Sequence, residues 1–240
     1  IKSPEENLWK PSFWATESAV LDFPLPGKPL MVMISFFIFR AIIAHMQPQT
    51  FVFFGIVGSG KGTQVKLLMD FLKKKDGKEC VYAYPGDEYR KIIQSGSYTG
   101  SLMKDSVTRG ELQPGFFSDA IVLNILISSL TAENHLIADG YPREVTQSES
   151  FEKIMKFYKR ENIKIIYIEV GKKEAMKRNL LRGRRDDTPE GIEKRFDEYI
   201  NKVIPSMNYF KNKTGYKIYT INGEQTVENV HKDIIKALGF

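Results

Sequence analysis

The chain has 240 residues, 42% hydrophobic and 27% charged, which suits one large globular domain with a short extension. Its single cysteine, Cys80, excludes an intramolecular disulfide framework and a cysteine-built zinc cluster, and fits a reducing cytoplasm. The net charge is +6, and the arginines are concentrated in one short segment, Arg178, Arg182, Arg184 and Arg185. Without a basic run interleaved with aromatics, this points away from nucleic acid and toward a small polyanion.

In chain order, residues 1–45 stand apart. Residues 1–28 are rich in Pro and Trp and show no regular period. Residues 30–43 (LMVMISFFIFRAII) are apolar, interrupted by Arg40, and at 14 residues shorter than the ~20 a spanning helix needs. The chain opens with Ile1, and Met46 stands directly before a complete domain. Residues 1–45 are therefore expected to be an extension of doubtful function, either non-native or a weak tether to a membrane or partner.

From Met46 onward strands alternate with helices. The run 50–56 (TFVFFGI) reads as a buried strand that ends in a Gly-rich turn. Residues 64–75 read as a helix, with Val65, Leu68, Met69 and Leu72 on one stripe. A strand follows at 79–84, then helices at 87–94, 101–109 and 117–130. A third strand is expected at 136–139, a helix at 148–158, and a fourth strand at 164–170. Helices at 173–181 and 189–209, a fifth strand at 217–221 and a last helix at 227–238 complete the pattern. Such alternation implies an α/β fold, with a parallel five-stranded sheet covered on both faces and ligands at the carboxyl ends of the strands.

The motif GIVGSGKG at 55–62 follows the first strand and opens a helix, the context a phosphate-binding loop requires. Gly55, Gly58 and Gly60 let the backbone turn its N–H groups inward, and with the helix N-terminus they make a concave anion site. Lys61 adds a point charge at the β- and γ-phosphates. Ser59, Gly62 and Thr63 complete the donor-nucleotide loop. Gly62 occupies the place where a Ser or Thr usually follows the Lys, and Thr63 comes one position later.

With that shift, the stretch from Gly55 to Gln64 resembles the GxxGxGKGTQ signature of the adenylate kinase family. Other segments match the family's order. Gly86-Asp87-Glu88-Tyr89-Arg90 resembles its GD-x-x-R segment, and Gly110-Glu111-Leu112-Gln113-Pro114 its G-x-L-V-P segment. Asp139-Gly140-Tyr141-Pro142-Arg143 with Gln147 resembles its DG-[FY]-PR-x-x-x-Q block. Arg178, Arg182, the run Arg184-Arg185-Asp186-Asp187-Thr188, and Arg195 resemble its lid and the helix behind it. The resemblance covers residues 46–240.

The resemblance implies a three-layer P-loop NTPase core with a helical monophosphate-binding insert at about 85–115 and a short lid at about 180–190. The lid is too short for an extra sheet and has no cysteine for zinc. It implies transfer of the γ-phosphate of MgATP to AMP. A UMP/CMP kinase is the alternative within the family, and a nucleotide-binding or NTPase regulatory module without acceptor activity is the alternative from another class. Arg90 and Arg143 would clamp the acceptor phosphate, because a guanidinium fork grips phosphate oxygens in pairs. Arg184 and Arg195 would span donor and acceptor phosphates, Arg182 would touch the donor phosphates, and Arg178 would pack on the donor base. The loop 222–225, with Gln225, would meet the donor adenine. Asp139 and Asp87 would hold Mg²⁺ through water, and Asp186 and Asp187 would orient the lid or cap the next helix. Pro85, Gln113, Gly140 and Gln147 would line the acceptor site. Pro85 stands where AMP-specific members usually carry Thr, and Gln113 where they carry Val. A monomer without stable membrane association is expected, unless residues 30–43 act as an anchor.

Overall fold

The computed structural model describes residues 47–109, 111–182 and 188–240. The expectations for residues 1–45, and for Arg184, Arg185, Asp186 and Asp187 in the lid, fall outside these residues. Five strands form one parallel sheet: β1 Thr50–Phe54, β2 Cys80–Ala83, β3 His135–Asp139, β4 Ile163–Glu169 and β5 Tyr216–Asn222. Their spatial order is β2-β3-β1-β4-β5, so β1 is central and β3 lies between it and β2.

The helices follow the strands: α1 Lys61–Asp76, α2 Pro85–Gln94, α3 Tyr98–Thr108, α4 Gly115–Ser129, α5 Val145–Phe157, α6 Lys172–Arg182, α7 Pro189–Glu198, α8 Ile204–Asn208 and α9 Val227–Leu238. Side chains alternate across a strand, so each strand feeds two cores. Phe51, Phe53, Ile137, Ile166 and Ile168 pack against Val65, Leu68 and Leu72 of α1 and Val230, Ile234 and Leu238 of α9. Val52, Phe54, Leu136, Ala138 and Ile165 face the opposite way, onto Val122 and Leu126 of α4, Phe151 and Met155 of α5, and Phe210. The result is three layers. No helix among the described residues is long and apolar enough to cross a membrane.

The strands and most helices lie within a few residues of their expected positions. Helix α2 starts two residues earlier than expected because Pro85 takes its first turn, where a missing N–H costs nothing. Helix α3 starts at Tyr98 because the Ser97 hydroxyl accepts from the Gly100 N–H, 3.1 Å away. The helix expected over 189–209 is interrupted by a π-helical turn, Tyr199–Val203. Pro205 has no N–H and its ring crowds the preceding turn. The chain widens just before it, and the N–H of Ile204 reaches back five residues to the Tyr199 carbonyl. The widened turn places Tyr199 and Val203 on the wall of the cleft described next.

Candidate active site

Strand β1 carries the chain to the carboxyl edge of the sheet, and the loop to α1 turns there. Gly58 has φ +86°, and a Cβ on it would stand 2.6 Å from Asn179 Nδ2 and 2.7 Å from the Ala175 carbonyl. Only glycine fits both the angle and the space. Gly60, at φ 89°, is the N-cap of α1. No side chain caps that helix and no acidic residue sits in its first turn, so its leading N–H groups and its dipole remain available to an anion.

The Lys61 ammonium lies back along the loop and donates to the carbonyls of Gly55 at 2.7 Å and Ile56 at 2.9 Å. Burial pulls its pKa down to about 8; the Asp139 carboxylate opposes the shift, while Arg143 and Arg182 add to it. Ser59 is buried beneath the loop, with its hydroxyl 3.5 Å from Lys61 Nζ. Gly58, Gly60, Lys61, Gly62 and Thr63 all face the cleft.

Asp139 ends β3 directly beside β1, paired in register with Phe53. It is buried, and its Oδ2 accepts the Tyr82 hydroxyl at 2.9 Å. Tyr82 comes from β2 and stacks on Tyr84, with ring centres 5.5 Å apart. Asp87, on the first turn of α2, is exposed and ion-pairs with Arg90 one turn later. Both Asp87 and Asp139 line the cleft. Among the described residues no group of three or more His, Cys, Asp or Glu is placed to hold a metal. One or two hard carboxylate oxygens, completed by water and phosphate oxygens, are the donor set that suits Mg²⁺.

The acceptor side is built on the turn after β3. Gly140 has φ +68°, and its carbonyl accepts Arg143 Nε at 2.8 Å. The Arg143 N–H donates to Gln147 Oε1 at 2.7 Å, and Gln147 Nε2 donates to the Gly115 carbonyl at 3.2 Å. Gln147 thus fastens the arginine turn to the start of α4. The Arg90 guanidinium lies 5.6 Å from the Tyr84 ring centre. Pro85 and Gln113 also reach the cleft wall.

On the donor side Arg178 donates through Nε to Glu174 at 2.7 Å and through Nη1 to the Gly223 carbonyl at 3.0 Å. It therefore joins α6 to the loop after β5. Arg182 and Arg195 line the same cleft, and Arg195 Nε donates to the Gly191 carbonyl at 3.1 Å. Gln225 is not on the cleft wall. Its amide donates to Asp233 of α9 at 2.8 Å and to the Asn222 carbonyl at 3.0 Å, which shapes the 222–225 loop from behind.

One cleft of about 990 Å³ thus gathers the loop glycines, Lys61, Asp139, Asp87 and the arginines at 90, 143, 178, 182 and 195. It also gathers Tyr82, Tyr84 and Tyr199, which sequence reasoning did not single out. The tyrosines at 82 and 84 read as ordinary strand formers. Their one signal is their place at the carboxyl end of a predicted strand, where ligands in parallel sheets sit.

The family model described as adenylate kinase matches residues 53–215. The chain is similar to the adenylate kinase of Prochlorococcus marinus (strain MIT 9301), with 32% identity over 184 residues that cover 76% of this chain and 94% of that protein. It is 31% identical to the adenylate kinase of Rickettsia akari (strain Hartford) over 219 residues, 78% of this chain and 97% of that one. Against the adenylate kinase of Thermosipho africanus (strain TCF52B) the identity is 28% over 218 residues, covering 78% and 98%.

Proposed function

We propose that this chain, which belongs to the adenylate kinase family, moves the γ-phosphoryl group of MgATP onto AMP and releases two molecules of ADP. The observation that carries the reading is the pairing of two anion sites in one cleft. The phosphate loop with Lys61 forms one, and Arg90, Arg143 and the turn braced by Gln147 form the other. A nucleotide hydrolase needs only the first.

A phosphate oxygen of AMP attacks the γ-phosphorus of ATP, and the bond from that phosphorus to the β–γ bridging oxygen breaks. The attacking oxygen carries no proton that must be removed, so no side chain is assigned as general base. The protein's work is alignment and charge stabilisation. The loop N–H groups and Lys61 hold the β- and γ-phosphates. Arg90 and Arg143 hold the acceptor phosphate, and Arg182, Arg184 and Arg195 face the charge that spreads over the transferring group. Arg178 and the 222–225 loop frame the donor base. Asp139, with Asp87, would hold the Mg²⁺, which neutralises charge on the β- and γ-phosphate oxygens when bound.

The acceptor arm at about 85–115 and the lid at about 180–190 close over the nucleotides and keep water from the γ-phosphorus. The catalytic unit is residues 46–240, with residues 1–45 an extension outside it. The enzyme works as a monomer in the cytoplasm. The test is diphosphate formation by the purified chain with MgATP and each of AMP, CMP, UMP and GMP. ADP formation that depends on AMP supports the reading. Preference for CMP or UMP would move the substrate, and no transfer to any acceptor would overturn the reading.

A further inference from the structure

Positive charge gathers at the amino edge of the sheet, the edge away from the cleft. Three segments meet there: 73–79, which leads into β2; 153–164, which ends α5 and opens β4; and 211–217, which opens β5. Together they hold twelve Lys or Arg and only three Asp or Glu, whereas the whole chain nets +6. The parallel sheet brings them side by side, with Lys164 of β4 in register with Lys217 of β5. The Phe240 ring joins the first two segments, 4.3 Å from the Lys75 ammonium and 5.2 Å from that of Lys164. Arg160 pins the end of α5 to the loop before β3, donating to the carbonyls of Thr131 at 2.8 Å and Asn134 at 3.0 Å.

The carboxylates at this edge are mostly matched already. Asp76 is enclosed beside His135, and Glu79, Glu133 and Glu152 pair with Lys73, Lys78 and Lys213. Lys74, Lys156, Lys159, Lys211 and Lys217 are exposed, and none of them is in a salt bridge among the described residues. Two large apolar side chains stand at the same edge. Phe157, the last residue of α5, is 79% exposed, and Ile127, in the last turn of α4, is 76% exposed. Apolar tips among ammonium groups fit an anionic interface that has an apolar layer beneath it.

We propose that this edge docks on the surface of a lipid bilayer bearing anionic headgroups, with the lysines at the headgroup phosphates and Phe157 and Ile127 at the acyl boundary. Each lysine that comes within a Debye length of such a surface adds attraction. A nucleic acid would also satisfy the lysines, but it offers no apolar layer to Ile127, whose branched chain has no flat face for a base. The apolar run 30–43 joins the domain through Gln47, ahead of β1 and so at this edge, and a lipid surface can take apolar sequence that a nucleic acid cannot. The cleft opens at the carboxyl edge, so nucleotides keep their access while the opposite edge is docked.

The test is sedimentation of the full chain with vesicles of phosphatidylcholine alone and of phosphatidylcholine with phosphatidylserine. The chain is expected to bind the anionic vesicles about tenfold or more tightly than the neutral ones, and to lose most of that preference when salt is raised from about 0.1 to about 0.5 M. Reversing four exposed charges together, Lys74→Glu, Lys156→Glu, Lys159→Glu and Lys211→Glu, is expected to weaken binding to the anionic vesicles about a hundredfold. Phe157→Ser is expected to weaken it about fivefold, and it serves as the independent variant if the quadruple one does not fold. Thermal melting at the wild-type midpoint identifies the folded variants. Equal binding to both kinds of vesicle, wild-type affinity in either folded variant, or tighter binding to a single-stranded RNA than to the anionic vesicles overturns the proposal. The phosphotransfer reading, checked by ADP formation, stands or falls separately.

Discussion

The two ends of the sheet each bury an aspartate, and they use it in opposite ways. At the amino end Asp76, the last residue of α1, is fully enclosed beside His135, the first residue of β3. His135 Nδ1 accepts the Gln49 N–H at 2.9 Å, so its hydrogen sits on Nε2 and is donated to Asp76 at 3.0 Å. Asp76 also takes the N–H of Lys78 at 3.0 Å. Burial lowers the His135 pKa, with Asp76 opposing, which keeps the ring neutral near pH 7. At the carboxyl end Asp139 accepts a hydrogen bond from Tyr82 and faces a cleft lined with arginines. Closed polar valences fasten α1, β1 and β3 together; open ones, held in place from one side only, make a site.

The largest break in that contrast is Lys61→Met. It removes the charge at the phosphate loop and is expected to lower kcat/KM for ATP by about a thousandfold or more. Thermal unfolding should stay near the wild-type midpoint, because methionine keeps the apolar stem and removes a charge that burial disfavours. Arg143→Ala comes next, with a loss of about a hundredfold in kcat/KM for AMP and a much smaller change in the KM for ATP. Steady-state kinetics with each nucleotide varied in turn will separate the two.

The pH profile sharpens the same point. The free enzyme's Lys61 titrates near 8. Above that pH the ammonium that binds phosphate is lost, so kcat/KM for ATP should fall about tenfold per unit until another group intervenes. The stability effect has the opposite sign. A lysine whose folded pKa lies below its ordinary value binds its proton better when unfolded, so the penalty for burying it is relieved as pH rises from about 8 toward the ordinary 10.5. An activity profile flat to pH 10 would contradict this assignment.

The smallest catalytic effect belongs to the amino end. Asp76→Ala should cost about 2 kcal/mol of stability, read by denaturant unfolding, while both kinetic constants stay within about twofold. His135 adds a sign that can be checked. Its lowered folded pKa means that the unfolded chain takes up the proton first, so stability should decline as pH falls below the ordinary histidine value of 6.5.

The features that depend on local chemistry were legible before the fold was known. The glycines of the phosphate loop, the alternating strands and the positions of the arginines follow from residue type and short spacing. The π-helical turn before Pro205 was not, because the charged helical period runs on through 189–209 and hides a break that the chain accommodates by widening. The Tyr82–Asp139 bond was hidden for a topological reason. Strand β2 precedes β3 in the chain, but their side-by-side placement is set by the sheet order. The Gln225 amide reaches Asp233 on the following helix, a tertiary contact with no local signature.

On the proposed function, one cleft holds a nucleoside triphosphate and a nucleoside monophosphate at once, phosphates facing. Calorimetric titration with two adenosines joined through a chain of five phosphates tests it directly. One such molecule is expected to bind per chain, to compete with both ATP and AMP, and to bind far more weakly to Lys61→Met and to Arg143→Ala. Competition with ATP alone, or two molecules bound per chain, would contradict it.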